Sequence, residues 1–323
     1  MAPVYVTRRI PDSGLDMLRE AGVEFDMNED DRVLEPAEML DVVKGREAVL
    51  CLLTDRITPE VMDAAAGVKI FANYAVGYDN IDVAAATERG IAVTNTPGIL
   101  TDTTADMTWA LLMSTGRRIV EADTYTRTGK FTGWGPMLLL GQDITNATLG
   151  IVGAGRIGSA VARRAAGFDM RILYTKTTPN PELDAQGAEQ VELDELLKRS
   201  DFVSLHTPLN DQTRHLIGER ELNLMKSSAV LINTARGPVV DEDALVVALR
   251  EKRIAAAGFD VYESEPALAD GLADLPNVVL APHIASASTG TRGKMAEMCA
   301  GEILRVLSGE RPVNLLNPEA LSG

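Results

Sequence analysis

The 323-residue chain is 46% hydrophobic and 24% charged and carries a formal net charge of −16 at pH 7. This is the composition of a globular protein long enough for two domains, each with its own core, and not of a disordered or fibrous chain. An acidic surface without a Lys/Arg block repels phosphate backbones and anionic headgroups, so no nucleic acid and no membrane is expected as a partner.

The N-terminal MAPVYVTRRIP puts its apolar residues ahead of its arginines and lacks a long apolar core, so it does not read as a signal peptide. From there apolar runs alternate with helical patterns. Val4 to Val6 reads as a strand, Ser13 to Ala21 as a helix, Ala48 to Leu53 as a strand and Pro59 to Ala66 as a helix. Lys69 to Asn73 is a strand, Ile81 to Arg89 a helix and Ile91 to Thr94 a strand. Strand–helix alternation implies a mostly parallel sheet covered on both faces, so residues 1–100 form one α/β domain. Thr101 to Arg118 reads as a longer amphipathic helix bridging two domains, capped at Thr101 or Asp102. Residues 129–146 show no clean period and read as a loop excursion.

Residues 147–175 then give strand, glycine turn, helix, strand. The apolar run Ala147 to Val152 leads into Gly153-Ala-Gly155-Arg156-Ile157-Gly158, and Met170 to Tyr174 forms the next strand. The first glycine permits a tight turn, the second lets backbone approach a pyrophosphate, and the third lets helix and strand pack closely. The free N–H groups at the helix start offer an anion site, so Gly153, Gly155, Arg156, Ile157 and Gly158 are assigned to a dinucleotide. The alternation continues through a helix at Glu192 to Arg199, strands at Phe202 to Leu205 and Ala229 to Asn233, and helices at Glu219 to Met225 and from the Asp241 cap to about Lys252. Strands at Ala255 to Phe259 and Val278 to Ala281 follow, then an amphipathic helix over 288–308, with Pro312 to Leu316 trailing off. Cys51 and Cys299 sit in apolar surroundings without C-x-x-C spacing, which reads as buried reduced thiols and a cytoplasmic location. The expected architecture is α/β with two doubly wound parallel-sheet domains, a Rossmann cofactor domain (101–287) and a flavodoxin-like substrate domain (1–100 and 288–323). Hinges are expected near Pro97-Gly98 and Ser286 to Gly290.

In doubly wound sheets ligands sit beyond the carboxyl ends of the strands, and three polar residues stand just after apolar runs there: Arg236, Glu265 and His283. Each alone could be a surface charge. Together they match a chemical requirement. Reduction of a 2-keto acid by a dihydronicotinamide leaves an alkoxide that must gain a proton, which suits a histidine. A carboxylate beside the imidazole orients it and favours its protonated form. The arginine fork can hold the substrate carboxylate while polarising the neighbouring carbonyl.

Over essentially its whole length the chain resembles the D-isomer-specific 2-hydroxyacid dehydrogenases, through Leu149 to Gly158, Leu231-Ile-Asn-Thr-Ala-Arg-Gly237, Gly258-Phe-Asp-Val-Tyr-Glu263 with Glu265-Pro266, and Ala281-Pro-His-Ile-Ala-Ser286. The resemblance implies that Arg236 binds and polarises substrate, His283 is the acid/base and Glu265 supports it. It also implies that Asp260 contacts the nicotinamide carboxamide and that Thr104 and Thr234 lie near the cofactor. Ala72 to Asp82, Thr94 to Gly98 and Gly133-Trp-Gly-Pro136 look like the glyoxylate and hydroxypyruvate reductase branch. There the loop at Val76 and Gly77 offers N–H groups to the substrate carboxylate, and Trp134 closes a substrate pocket, with a core aromatic as the alternative. Ala285 departs from the family's usual glycine; it is strained if the backbone there needs positive φ, and otherwise adds a methyl to the nicotinamide pocket. A homodimer is expected, with residues 101–146 as the contact surface.

The second strand of an NAD-binding unit normally ends in an acidic residue that holds the ribose 2′-hydroxyl. Here the position falls at Tyr174-Thr175-Lys176-Thr177-Thr178, and no acid occurs between Asp169 and Glu182. NADP(H) is therefore favoured, with NAD(H) possible, and the 2′-phosphate is assigned to Lys176 and the hydroxyls of Thr175, Thr177 and Thr178. Other readings are a phosphoglycerate-type dehydrogenase, which should present more basic residues and a regulatory domain not expected here, and a nucleotide-sensing corepressor of the same fold.

Overall fold

A computed structural model describes residues 1–321 and divides the chain into two compact units, Met1–Leu100 with Ser286–Gly323, and Thr101–Ala285. Unit 1 begins β1 (Val4–Val6), α1 (Asp12–Glu20), β2 (Phe25–Met27), α2 (Pro36–Val42), β3 (Ala48–Cys51), α3 (Pro59–Ala64), β4 (Ile70–Asn73), α4 (Val83–Glu88) and β5 (Ala92–Thr94). Its five strands run parallel in the order β2-β1-β3-β4-β5. β1, β3, β4 and β5 are buried along their whole length, as strands covered on both faces must be.

Unit 2 holds α5 (Thr101–Gly116), α6 (Ile119–Arg127), β6 (Thr148–Val152), α7 (Arg156–Ala165), β7 (Arg171–Thr175), α8 (Pro181–Asp184), β8 (Glu189–Gln190), α9 (Leu193–Arg199), β9 (Phe202–Leu205), α10 (Glu219–Leu224), β10 (Val230–Asn233), α11 (Glu242–Arg250), β11 (Ala256–Phe259) and β12 (Val278–Leu280). The seven strands are parallel in the order β12-β11-β10-β9-β6-β7-β8, so the winding reverses between β6 and β9. The last helix, α12 (Thr289–Leu307), returns to unit 1 and packs on α1, so closely that a Cβ on Gly14 would lie 2.6 Å from the Ala296 backbone.

Several expectations are corrected. Thr101–Gly116 belongs to unit 2, packs on α7, β10 and β11, and donates the Trp109 indole N–H to the Val161 carbonyl at 3.0 Å. Pro312 to Leu316 does not trail off, because Leu316 donates its N–H to the Val93 carbonyl and the buried Asn317 side chain caps the same strand edge from both sides. Residues 119–127 form a helix that periodicity missed because none of its residues is buried. Cys51 and Cys299 are free and buried, and burial pushes both thiols well above their ordinary range. Among the described residues no helix is long and apolar enough to cross a membrane.

Candidate active site

The site is built on the carboxyl ends of the strands of unit 2. β6 runs into the glycine turn, where Gly153 adopts φ +95° and a Cβ would lie 2.8 Å from the His206 backbone at the end of β9. A Cβ on Gly158 would lie 2.3 Å from the Gly153 carbonyl oxygen, so helix and turn touch directly. Gly155 differs: nothing lies within 4 Å of its added Cβ. It is the N-cap of α7 and supplies no side-chain cap, so the first-turn N–H groups at Arg156, Ile157 and Gly158 have no side-chain acceptor from the cap residue.

At the neighbouring end of β9 the Thr207 hydroxyl is buried without a partner. An open cradle of N–H groups, a nearby arginine and an orphaned buried hydroxyl together suit a phosphate-bearing dinucleotide. β7 ends at Thr175, followed by Lys176 and the exposed Thr177. The loop is pinned to the glycine turn by buried Asn180, whose amide donates to the Ala154 carbonyl at 3.1 Å and the Ser159 hydroxyl at 2.9 Å.

The other half of the site lies at β10, β11 and β12. After β10, Thr234 meets Thr108 at 2.8 Å between hydroxyls. Thr108 spends its single proton on the Thr104 carbonyl at 2.8 Å, so Thr234 is the donor to Thr108 and keeps its lone pairs. Arg236 follows in an extended conformation, its carbonyl held by the Asn233 amide at 2.9 Å. The next residue explains the Arg-Gly pair: a Cβ on Gly237 would lie 1.8 Å from the Tyr262 carbonyl carbon and 2.3 Å from the Glu263 nitrogen. Only glycine lets the Arg236 segment lie against the loop that carries Glu265.

Glu265 accepts the Tyr262 N–H at 3.0 Å on one oxygen and pairs with His283 Nδ1 at 2.9 Å on the other. Burial alone would raise its pKa, but the hydrogen bond and charge of His283, the Tyr262 N–H and the charge of Arg236 outweigh it and hold the carboxyl below its ordinary value. An ionised carboxylate accepts only, so Nδ1 of His283 carries the proton and Nε2 is left to exchange one.

His283 sits at φ +55°, a left-handed conformation unfavourable for a non-glycine residue. Its loop is fastened on both sides. Asp260, fully buried after β11, accepts the N–H of Ile284 and of Ala285, each at 2.7 Å. Burial pushes this carboxyl above its ordinary range although both N–H groups favour its charge. The Tyr262 hydroxyl donates to the Ala281 carbonyl at 2.8 Å, and burial raises its pKa to about 12, so it remains a donor. Ala285 lies outside the positive-φ region, so the strain considered for it is absent.

The other histidines differ. Burial lowers His206 to about 3, so it stays neutral beside Ser204, and His215 pairs with Glu263 at 2.6 Å in an exposed setting. In unit 1, the Val76 and Gly77 carbonyls accept the Asn95 and Asn73 amides at 2.7 and 2.9 Å. Trp134 is 86% exposed on unit 2, which excludes the core-aromatic alternative. Among the described residues no His/Cys/Asp/Glu cluster could hold a metal.

A parallel doubly wound sheet with a glycine turn at the strand where its winding reverses and a carboxylate–histidine pair at its far strand ends defines a nicotinamide-dependent oxidoreductase of the α/β class. The sequence pattern of the D-isomer specific 2-hydroxyacid dehydrogenase NAD-binding domain matches residues 109–285. The chain belongs to the D-isomer specific 2-hydroxyacid dehydrogenase family. It is 51% identical to a glyoxylate reductase of Thermococcus onnurineus over 99% of this chain and 97% of that one. A crystal structure of a Thermus thermophilus protein superposes with a TM-score of 0.91 at 47% identity, covering 97% of this chain and 99% of that one. The NADPH-dependent glyoxylate/hydroxypyruvate reductase of Sinorhizobium meliloti, solved with NADP and malonate, gives a TM-score of 0.85 at 33% identity, covering 98% and 97%.

Proposed function

We propose that this chain reduces glyoxylate, and hydroxypyruvate as a second substrate, to the 2-hydroxy acid with NADPH in the cytoplasm. The observation that carries the reading is the Glu265–His283 pair, held within reach of the Arg236 charge at the strand ends of the unit that bears the glycine turn. When bound, the dihydronicotinamide supplies the hydride. His283 Nε2 gives a proton to the forming alkoxide, and in the reverse direction takes one from the alcohol. Glu265 keeps the ring oriented and stabilises the imidazolium. Arg236 grips the substrate carboxylate and polarises the keto oxygen. Val76 and Gly77 are assigned to substrate, Asp260 and Thr104 to the nicotinamide end and Thr234 beside them, and Trp134 to the rim of a substrate pocket. The relatives named glyoxylate reductase and glyoxylate/hydroxypyruvate reductase support the substrate choice.

The test is the initial rate of cofactor oxidation with glyoxylate and with hydroxypyruvate, each against NADPH and NADH. Turnover is expected with both acids and faster with NADPH; silence in all four with cofactor bound would overturn the reading.

NADPH is favoured because β7 ends at Thr175 with Lys176 behind it and no carboxylate at that position. Thr175→Asp places a negative charge where the 2′-phosphate is assigned. The ratio of kcat/KM for NADPH over NADH is expected to fall by about 100-fold, roughly 2.7 kcal/mol of like-charge repulsion and lost hydrogen bonding. An unchanged ratio would show that another residue reads the phosphate.

A homodimer is assigned to the segment that exposes Ile119, Val120, Phe131, Trp134, Met137 and Leu140. Sedimentation velocity at two loading concentrations is expected to return the dimer mass; a monomer at both would remove this assignment.

A further inference from the structure

We infer that Glu242 is a positioning residue for the His283–Glu265 pair, its buried carboxylate clamping the loop that presents Glu265. The inference rests on the reductase reading above. Glu242 is the first residue of α11 yet does not serve as its cap, since Asp241 accepts the Ala244 N–H at 3.0 Å in that role. Its side chain instead leaves the helix, is 2% exposed, and accepts the Glu263 N–H at 2.7 Å. The Ala269 N–H is directed at the same carboxylate. The two donors bracket Glu265 on both sides in the sequence.

Among the described residues the carboxylate forms no ion pair. The charges that act on it most are those of Glu263 and Glu265, both of like sign. The Glu263 side chain is drawn to His215 on the exposed side of the loop, which leaves its N–H for Glu242. A buried carboxylate facing like charges opposes folding, and an apolar residue of the same size would pack at lower cost. What an apolar residue cannot supply is acceptors for two loop N–H groups. Among the described residues the Glu265 carboxylate bonds to the Tyr262 N–H of its own loop and to His283. Glu242 is therefore the hydrogen-bonded tie between that loop and α11, and it fixes where the Glu265 carboxylate stands.

The test compares Glu242→Ala and Glu242→Gln with the unchanged protein in three measurements: kcat and KM for glyoxylate, the NADPH dissociation constant, and the ring-nitrogen NMR signals of the histidines. The chain has 3 histidines, so these signals are few enough to assign. Displacing a catalytic pair by about 1 Å is expected to lower kcat about 30-fold in Glu242→Ala, with NADPH binding changed less than about twofold. His283 should lose the signature of a hydrogen-bonded Nδ1 proton. Glu242→Gln keeps one acceptor oxygen and should lose only about three- to fivefold of the unchanged kcat. Glu242→Ala with kcat within about twofold, or a loss matched by equally weakened NADPH binding and an unaltered His283 signal, would overturn the assignment. If Glu242→Ala does not fold, Glu242→Gln decides: a partial loss with an altered His283 signal supports the clamp, and no change in either refutes it. Should the unchanged protein turn over no keto acid, the reductase reading falls while the His283 spectra still decide whether Glu242 holds the pair.

Discussion

His283→Ala lowers kcat for glyoxylate reduction by about a thousandfold and leaves NADPH affinity nearly intact. The expectation follows from geometry: Nδ1 is committed to Glu265 at 2.9 Å, so Nε2 is the proton-exchanging atom and nothing else in the pair can replace it. His206, kept neutral by burial, cannot substitute. Glu265→Gln gives the companion result through pH. The carboxylate is held below its ordinary value, so it stays charged down through the weakly acidic range and the ion pair is lost only when pH falls below that depressed value. The acid limb of reductive kcat/KM, where Glu265 takes up its proton, should therefore disappear in Glu265→Gln. Retention of kcat in His283→Ala, or a retained acid limb in Glu265→Gln, would refute these roles.

Gly237→Ala is expected to damage stability and turnover together. The added methyl would lie 1.8 Å from the Tyr262 carbonyl carbon, and the obstacle is backbone, which no rotamer change relieves. Either the Arg236 segment or the Tyr262–Glu265 loop must move. Overpacking of this kind costs about 3 kcal/mol, which for a unit of this size lowers the melting temperature by roughly 6 to 12 °C. Because both flanking segments carry site residues, kcat/KM should fall about 100-fold even below the melting transition. Calorimetry and kinetics on the same preparation check it, and a variant with unchanged melting and turnover would show that the two loops separate freely.

Much of this was readable from the chain. The apolar runs that became β1, β3, β4, β6, β9 and β10 are buried on both faces, and such strands announce themselves. What escaped has a physical reason in each case. β2 is three residues at a sheet edge, only partly buried, among acidic neighbours. α2 is a single seven-residue helix whose signal was its start, Glu35-Pro36 with Glu38 folding back on the Glu35 N–H at 2.8 Å, a capping pattern that could have been found. α8 and β8 are too short to show a period. In the site, the glycine turn, Arg236, Glu265 and His283 stand out because polar residues interrupt apolar strands there. The grip of Asp260 on the Ile284 and Ala285 N–H groups and of Glu242 on Glu263 does not, because a side chain bonding a distant backbone leaves no spacing to read.

The chain leaves unit 1 after Leu100 and returns only at Ser286, so unit 2 is an uninterrupted insertion while unit 1 is assembled from both ends of the polypeptide. α12 supplies Met295, Ala296, Cys299, Ala300 and Ile303 to a core whose other members come from the first hundred residues. In chain order, therefore, every strand of unit 2 precedes α12, while the core of the Met1–Leu100 strands is complete only once α12 has been added. Until α12 docks, the apolar strands of residues 1–100 lack one wall of their core and are the segment most open to aggregation.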